Sequence, residues 1–170
     1  MFRVMSGDLL DLADGGHFDH IVHGCNCFNI MGGGIAAQIR ARYPQAAEVD
    51  SNTKRGDINK LGNYTQAVQK YASLPGSFTI INAYTQFGVS RDGEEVFHYA
   101  SLEVVLEKLL WLVKTDDGNR GFSRWGFPRI GQGLAGGDPN RINAMLEDFA
   151  RRADRYGGIV TIVDFDPEPK

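Results

Sequence analysis

Two stretches of the chain carry apolar side chains at three- and four-residue spacing, the pattern of an amphipathic helix. In the first stretch these positions are Leu102, Val105, Leu106, Leu109, Leu110 and Val113. In the second they are Ile142, Met145, Leu146 and Phe149. The second stretch follows Asp138 and Pro139, which suit a helix N-cap and a first helical position. The pattern therefore predicts two long helices in the C-terminal half.

Shorter β-like runs alternate with helical ones over the rest of the chain. The pattern predicts strands over residues 2–5, 17–25, 61–71, 77–84, 124–130 and 157–165, and helices over 34–43 and 45–54. Strands that alternate with helices indicate an α/β domain with helices on both faces of a sheet. No repeat, linker or low-complexity segment divides the chain, so we expect one domain over residues 1–170.

Composition narrows the function classes. The net charge of −3 shows no basic footprint for nucleic acid or an anionic membrane. No apolar run approaches the roughly 20 residues of a membrane span, and the N-terminus lacks the signal-peptide pattern. We therefore expect a cytoplasmic protein that contacts neither membrane nor nucleic acid. The two cysteines, Cys25 and Cys27, are too close for an easy disulfide, and reduced thiols fit that compartment.

Two glycine-rich segments each follow a predicted strand. They are MGGGIA, residues 31–36, and GQGLAGG, residues 131–137. Ligands of open α/β sheets bind beyond the carboxyl ends of the strands, where glycines let backbone N–H groups approach phosphates. Either segment alone is more simply a tight turn, but the pair favours a diphosphate held from both sides. Neither segment has the Walker or the Rossmann spacing, which disfavours a nicotinamide dehydrogenase.

His23, Cys25 and Cys27 raise the possibility of a metal site, because alternate residues of a strand share one face. A structural zinc site needs a fourth ligand, and His98 is the only distant candidate. We predict no metal and no cofactor, and we expect both thiols to pack in the core or a loop.

The motifs GDLL, HGCNCFNIMGGGIAAQI, NAYTQFG and FPRIGQGLAGG occur in this order. Together they resemble the macrodomain family, most of all the group that processes ADP-ribose 1″-phosphate, which includes yeast and bacteriophage proteins. The resemblance spans about residues 3–166. It implies a three-layer α/β/α sandwich with a mixed sheet of about six strands. It also implies ADP-ribose, ADP-ribose 1″-phosphate or ADP-ribosylated proteins as ligands.

The resemblance also assigns roles to single residues. Asp8 would accept a hydrogen bond from the adenine amine beside the Leu9 backbone, Phe165 would pack on adenine, and Gln86 would contact the distal ribose or its phosphate. The first loop would line the distal ribose and diphosphate with Gly32, Gly33, Gly34 and Ile35. The second would supply backbone donors from Ile130, Gly131, Gln132, Gly133, Leu134 and Ala135.

Two residues are candidates for catalysis. His23 ends a predicted strand, where a histidine is commonly structural, but the phosphatase pattern has a catalytic histidine in the matching place. Asn26 would orient the distal ribose. Asp92, in a polar turn, either reaches over a distal phosphate or is simply solvated. Asp138 is interpreted first as a helix cap.

The implied activity is hydrolysis of ADP-ribose 1″-phosphate to ADP-ribose and phosphate. One alternative is a module that binds ADP-ribose without chemistry. Another is a hydrolase that removes ADP-ribose from modified macromolecules. Hydrolases in this branch use a lysine, and an aspartate directly after the Gly-Leu of the second loop. Here Ala135 holds that position and residues 82–96 contain no lysine, so this activity ranks below the phosphatase.

Overall fold

The computed structural model describes residues 2–89, 94–116 and 121–166. Its strands are β1 (Phe2–Gly7), β2 (His20–Asn26), β3 (Tyr64–Lys70), β4 (Ser77–Gln86), β5 (Ser123–Phe127) and β6 (Gly158–Phe165). Its helices are α1 (Leu9–Asp14), α2 (Gly34–Arg42), α3 (Pro44–Ser51), α4 (Tyr99–Thr115) and α5 (Pro139–Asp154), with a 3-10 helix at Ile58–Lys60. No helix in these ranges is long and apolar enough to cross a membrane.

The strands form one mixed sheet in the order β1-β6-β5-β2-β4-β3. Only β3 runs antiparallel to its neighbour, and the other pairs are parallel. The predicted α/β fold with about six strands is therefore confirmed. The carboxyl ends of the five parallel strands meet at one edge of the sheet, the edge where ligands of α/β folds bind.

A hydrophobic core lies on each face of the sheet. On one face α4 and α5 cover Trp125 and Phe127, whose rings meet Phe149 edge-on at centroid distances of 6.3 and 5.9 Å. On the other face α1, α2 and α3 cover Ile21 and Ile80. The residue next to each of these along its strand faces the core on the other side of the sheet, because successive side chains of a strand alternate. This alternation decides on which face of the sheet each side chain of β2 lies, and therefore which of them can line a site at the carboxyl edge.

The short helix α1 was not predicted from the sequence. It has six residues, too few for a three- and four-residue spacing to recur. Its capping residue is the available signal: Asp8 Oδ1 accepts hydrogen bonds from the backbone N–H groups of Leu10 at 2.9 Å and Asp11 at 3.1 Å. The predicted cap at Asp138 is confirmed, since its Oδ1 accepts from Asn140 N at 2.9 Å.

Several predicted strands differ from the expectation by one to three residues at their bounds, and the bounds of β2 and β5 bear on the site. β2 begins at His20 rather than at residue 17, and β5 ends at Phe127 rather than at residue 130. Pro128 follows β5 directly, and a proline has no N–H to continue the sheet ladder. The chain therefore leaves the sheet at Pro128, and Arg129 and Ile130 belong to the loop that follows.

Candidate functional site

A cleft of about 1220 Å³ lies along the carboxyl edge of the sheet. It exceeds the roughly 300–1,000 Å³ of typical small-molecule sites. Its walls come from the segments that follow β1, β2, β4, β5 and β6. Every binding residue predicted from the sequence lies on these walls, and so does Asn26. The set is Asp8, Leu9, Asn26, Gly32, Gly33, Gly34, Ile35, Gln86, Ile130, Gly131, Gln132, Gly133, Leu134, Ala135 and Phe165.

The first glycine loop delivers the N-terminus of α2 to the cleft. Gly33 is the N-cap residue, and no side chain caps the helix. Gly34 has φ +55°, a left-handed conformation that glycine adopts readily. The first N–H groups of a helix lack intrahelical acceptors and carry a positive partial charge. This end of the cleft therefore presents main-chain donors suited to an anion.

The second glycine loop, residues 131–137, is folded tightly on itself. Gly137 N donates to Gly131 O at 2.7 Å, and Gly136 N donates to Gly133 O at 3.1 Å. Gly131 has φ +69°, and a Cβ there would lie 2.4 Å from the ring of Phe97. The Ala135 carbonyl accepts from the N–H groups of both Val96 and Phe97. The loop is thus anchored along residues 96–97.

The two loops meet across the cleft. Leu134 is 74% exposed, yet its Cδ1 would lie only 2.8 Å from a Cβ added at Gly33. Glycine at position 33 is what allows this approach. Main-chain groups of both loops consequently face a common space, as expected for two walls that hold one extended anionic group.

Arg129 is held by residues outside the cleft. Its guanidinium bonds both carboxylate oxygens of Asp164, with Nη2 to Oδ2 at 3.0 Å, and Nη1 donates to Asn143 Oδ1 at 3.2 Å. The guanidinium lowers the pKa of Asp164. Gln132 Nε2 also donates to Asn143 Oδ1, at 2.9 Å. These contacts fasten the start of the second loop to β6 and α5, which leaves main-chain groups as its donors toward the cleft.

Asp8 and Phe165 lie together at the opposite end of the cleft. Gly7 and Phe165 are register partners in the β1–β6 pair, so Asp8 follows directly beside the aromatic ring. The helix cap occupies Oδ1 of Asp8 and leaves Oδ2 available to a donor. Phe165 is 65% exposed. An acceptor beside an open aromatic face suits a planar base with an amino group.

Asn26 and Gln86 brace the turn after β4. Asn26 Nδ2 donates to Gly88 O at 2.6 Å, and its Oδ1 accepts from Gly88 N and Phe28 N. Gln86 Nε2 donates to the same Gly88 carbonyl at 2.9 Å. Both carboxamides therefore have protein partners, and each carboxamide nitrogen keeps a second N–H beyond its bond to Gly88 O. The roles predicted for them at the distal ribose stay predictions.

His23 lies outside the cleft. Gly24 and Asn26 line the cleft from one face of β2, whereas His23 and Cys25 point to the other face. The His23 ring is 1% exposed, and its Nε2 lies 2.6 Å from Asn82 Oδ1. Burial lowers its pKa to about 4, although the Asn82 hydrogen bond acts in the opposite direction. This placement indicates a structural residue and does not support the predicted catalytic role.

The other residues considered as metal ligands are buried in the protein or hydrogen-bonded to its main chain. Cys25 and Cys27 are buried free thiols, and burial raises the pKa of each. His98 caps α4, where its Nδ1 accepts from Ser101 N. Across the described ranges no three His, Cys, Asp or Glu side chains are arranged to hold a metal ion. Asp92 lies outside the described residues.

Sequence reasoning missed Gly24 as a cleft residue. A Cβ at Gly24 would lie 2.9 Å from Thr85 Oγ1 and 3.2 Å from Ile130 Cγ1, so glycine allows β2 to approach the second loop. The strand period of two could have found Gly24, because it lies on the same face as Asn26. Thr85 belongs to the NAYTQFG segment, and although it is only 1% exposed it also lines the cleft.

Comparisons with known proteins agree with this architecture. No family model matches the chain. The 17.5 kDa protein of the tk-vs intergenic region of Enterobacteria phage T4 is 30% identical over 166 residues, 97% of either chain. The ADP-ribose 1″-phosphate phosphatase of Scheffersomyces stipitis is 27% identical. The alignment is 169 residues long and covers 88% of this chain and 95% of the yeast protein.

Two solved structures show the same fold at lower identity. The macrodomain of Mycobacterium tuberculosis DarG superposes with a TM-score of 0.68 at 22% identity, over 99% of both chains. The Trypanosoma brucei macrodomain in complex with ADP-ribose gives a TM-score of 0.62 at 16% identity, over 97% of this chain and 64% of the other.

Proposed function

Since this chain belongs to the macrodomain family, we propose that its cleft binds ADP-ribose and hydrolyses ADP-ribose 1″-phosphate to ADP-ribose and phosphate. The phosphatase activity is the one named for the Scheffersomyces stipitis relative, and the alignment with this chain covers 95% of that protein. ADP-ribose is the ligand named for the Trypanosoma brucei macrodomain.

The meeting of the two glycine loops is the observation that carries the proposal. Gly33 and Leu134 bring the loops into contact, and the N-terminus of α2 begins at Gly34 beside them. A diphosphate between the loops would receive main-chain hydrogen bonds from both sides and the favourable end of a helix dipole. Asp8 and Phe165 at the other end would take the adenine amine and ring.

In the reaction, a water oxygen attacks phosphorus and the bond between phosphorus and the distal ribose oxygen breaks. The water proton passes to the leaving oxygen or to phosphate, so that ADP-ribose and inorganic phosphate result. Negative charge on the phosphoryl oxygens is stabilised by the main-chain donors, which is the largest effect in phosphoryl transfer. Among the described cleft residues the ionisable side chains are Asp8 and Arg129, and Arg129 is already paired. Catalysis here rests on positioning rather than on a side-chain acid or base.

Binding without catalysis is the second candidate. The same scarcity of ionisable groups favours it, since Asp8 lies at the adenine end and Arg129 bonds Asp164. An ADP-ribose reader needs the loops, the acceptor and the aromatic ring, but it needs no group that moves a proton.

The experiment combines calorimetry with ADP-ribose and an assay of phosphate release from ADP-ribose 1″-phosphate. We expect binding, and release above the rate without protein. Asp8→Ser should bind ADP-ribose more weakly because serine keeps the helix cap but removes the acceptor Oδ2. Binding without release would establish the reader, and absence of binding would refute both candidates. Loss of ADP-ribose from a modified protein instead would establish the macromolecular hydrolase.

A further inference from the structure

Lys60 is a buried cation behind the first glycine loop. The residue is 8% exposed, and its Nζ donates to the carbonyl oxygen of Cys27 at 2.8 Å and to Oδ1 of Asn29. The same nitrogen lies 4.8 Å from the centroid of the Tyr84 ring. Within the described ranges no carboxylate lies at ion-pair distance from this ammonium. A neutral side chain of similar length would avoid the desolvation of a charge, so the role of the lysine has to be sought in its hydrogen bonds.

Asn29 receives this hydrogen bond in an unusual backbone conformation. Its φ is +57°, which is the left-handed region and is otherwise occupied by glycines among the described residues. Its Oδ1 also accepts from Thr53 Oγ1 at 3.2 Å, and its Nδ2 donates to Thr53 O at 2.9 Å. Non-glycine residues rarely adopt this conformation without support, so these side-chain contacts hold the turn.

The turn at Asn29 leads directly into the first glycine loop. Its outer side is packed: Gly56 N donates to Cys27 O at 2.8 Å, and a Cβ at Gly56 would lie 3.0 Å from the Phe28 ring. Met31, immediately before the glycines, is 3% exposed. The direction in which the chain enters residues 32–34 is therefore set by the turn at residues 27–31.

We propose that Lys60 is a positioning residue for the ligand of the cleft. Its ammonium ties the Cys27 carbonyl to the Asn29 carboxamide and thereby fixes the first glycine loop where the diphosphate and distal ribose would lie. This inference rests on the proposed function. Lys60 is absent from the cleft wall, so its effect on affinity passes through the loop. A ligand that reaches the loop should depend on Lys60, and a ligand confined to the end with Asp8 and Phe165 should not.

Calorimetry with ADP-ribose and with AMP tests this difference. AMP carries the adenine end without the diphosphate and the distal ribose. Lys60→Met keeps the length of the stem and removes the charge and the donor. We expect it to weaken ADP-ribose binding about tenfold, which corresponds to the loss of about one hydrogen bond between the loop and the ligand, and to change AMP binding by less than about twofold. The matched control is Lys108→Met, because Lys108 Nζ also donates to an asparagine, Asn63, but on the exposed surface.

A second variant, Asn29→Gly, tests the partner. Glycine adopts the positive φ without strain but lacks the acceptor for Lys60. The double variant with Lys60→Met should lose less ADP-ribose affinity than the sum of the two single losses, because both substitutions break the one contact that Lys60 and Asn29 share. Additive losses would overturn the proposal. So would wild-type ADP-ribose affinity in Lys60→Met, or an equal loss of AMP affinity.

A measurement without ligand separates this inference from the proposed function. In amide NMR spectra, Lys60→Met should shift the resonances of Gly32, Gly33 and Gly34, whereas Lys108→Met should leave them in place. Unchanged resonances would overturn the positioning role whatever the nucleotides do. Shifted resonances in a protein that binds neither nucleotide would retain the positioning role and reject ADP-ribose as the ligand.

Discussion

The burial of His23 should make the stability of this protein depend on pH. The ring is 1% exposed, and burial lowers its pKa from 6.5 to about 4. The unfolded chain therefore binds the proton more readily than the folded chain. Stability from keeping the ring neutral is fully present above pH 6.5 and is lost as the pH falls toward 4. The direction is that of acid destabilisation.

The magnitude follows from the two pKa values. Each unit of difference corresponds to about 1.4 kcal/mol, so the full loss below both values is about 3 kcal/mol. At pH 5 the loss relative to pH 7.5 is about 2 kcal/mol. His23→Gln should abolish this contribution. Glutamine does not titrate. Its amide can still donate to Asn82 Oδ1, which in the wild-type protein lies 2.6 Å from His23 Nε2.

Urea unfolding of wild type and His23→Gln at pH 5 and pH 7.5 measures the effect. We expect the wild type to lose about 2 kcal/mol more than the variant between these pH values. His20, whose pKa burial also lowers, is present in both proteins, and its contribution cancels. Equal pH dependence in the two proteins would refute the reasoning. Phosphate release by the variant at pH 7.5 should stay near the wild-type rate, and its loss in a stable variant that binds ADP-ribose would restore a catalytic role for His23.

Three further predictions concern the loops, the cap and the thiols. Gly131 has a positive φ, and the Cβ of Gly131→Ala would press against the Phe97 ring. We expect this substitution to lower the free energy of unfolding, measured with urea, by about 1–3 kcal/mol. Gly133→Ala, which meets no atom within 4 Å, should keep its stability and instead weaken ADP-ribose binding. Asp8→Ala should cost about 1 kcal/mol of stability that Asp8→Ser retains, by thermal unfolding, while both lose ADP-ribose affinity. Cys25 and Cys27, buried with raised pKa values, should react with a thiol reagent at pH 8 only after denaturation; rapid reaction of the native protein would contradict their placement.

Periodicity predicted the long elements well because their signals recur. The stripe from Leu102 to Val113 repeats over several turns, and α4 covers it from Tyr99 to Thr115. Helix α1 gives no such repeat within six residues, and its evidence is the single cap at Asp8. The end of β5 depends on Pro128, a local stop that an apolar pattern extending to Ile130 conceals.

The two glycine-rich walls of the cleft could be located in the sequence for a different reason. Its walls are main-chain loops that follow strands, and glycine-rich segments at those positions are visible in the sequence. The strand period places His23 on the opposite face of β2 from Gly24 and Asn26, but the sequence alone does not show which of the two faces lines the cleft. In a strand, a difference of one residue changes the face on which a side chain lies.

The glycines of the two loops are glycines for different physical reasons, and this bears on which of them serve a ligand. At Gly131 a Cβ would collide with the buried ring of Phe97, so the fold itself requires glycine there, whereas at Gly33 a Cβ would meet only the end of the exposed Leu134 side chain. A Cβ at Gly34 would meet no atom within 4 Å, but the φ of this residue is positive, so its backbone conformation favours glycine. Gly133 has neither constraint. Nothing among the described residues requires glycine at position 133, and glycine there would allow the proposed ligand to approach the main chain closely. The second loop should therefore contact the diphosphate at Gly133, with Gly131 supporting it from behind.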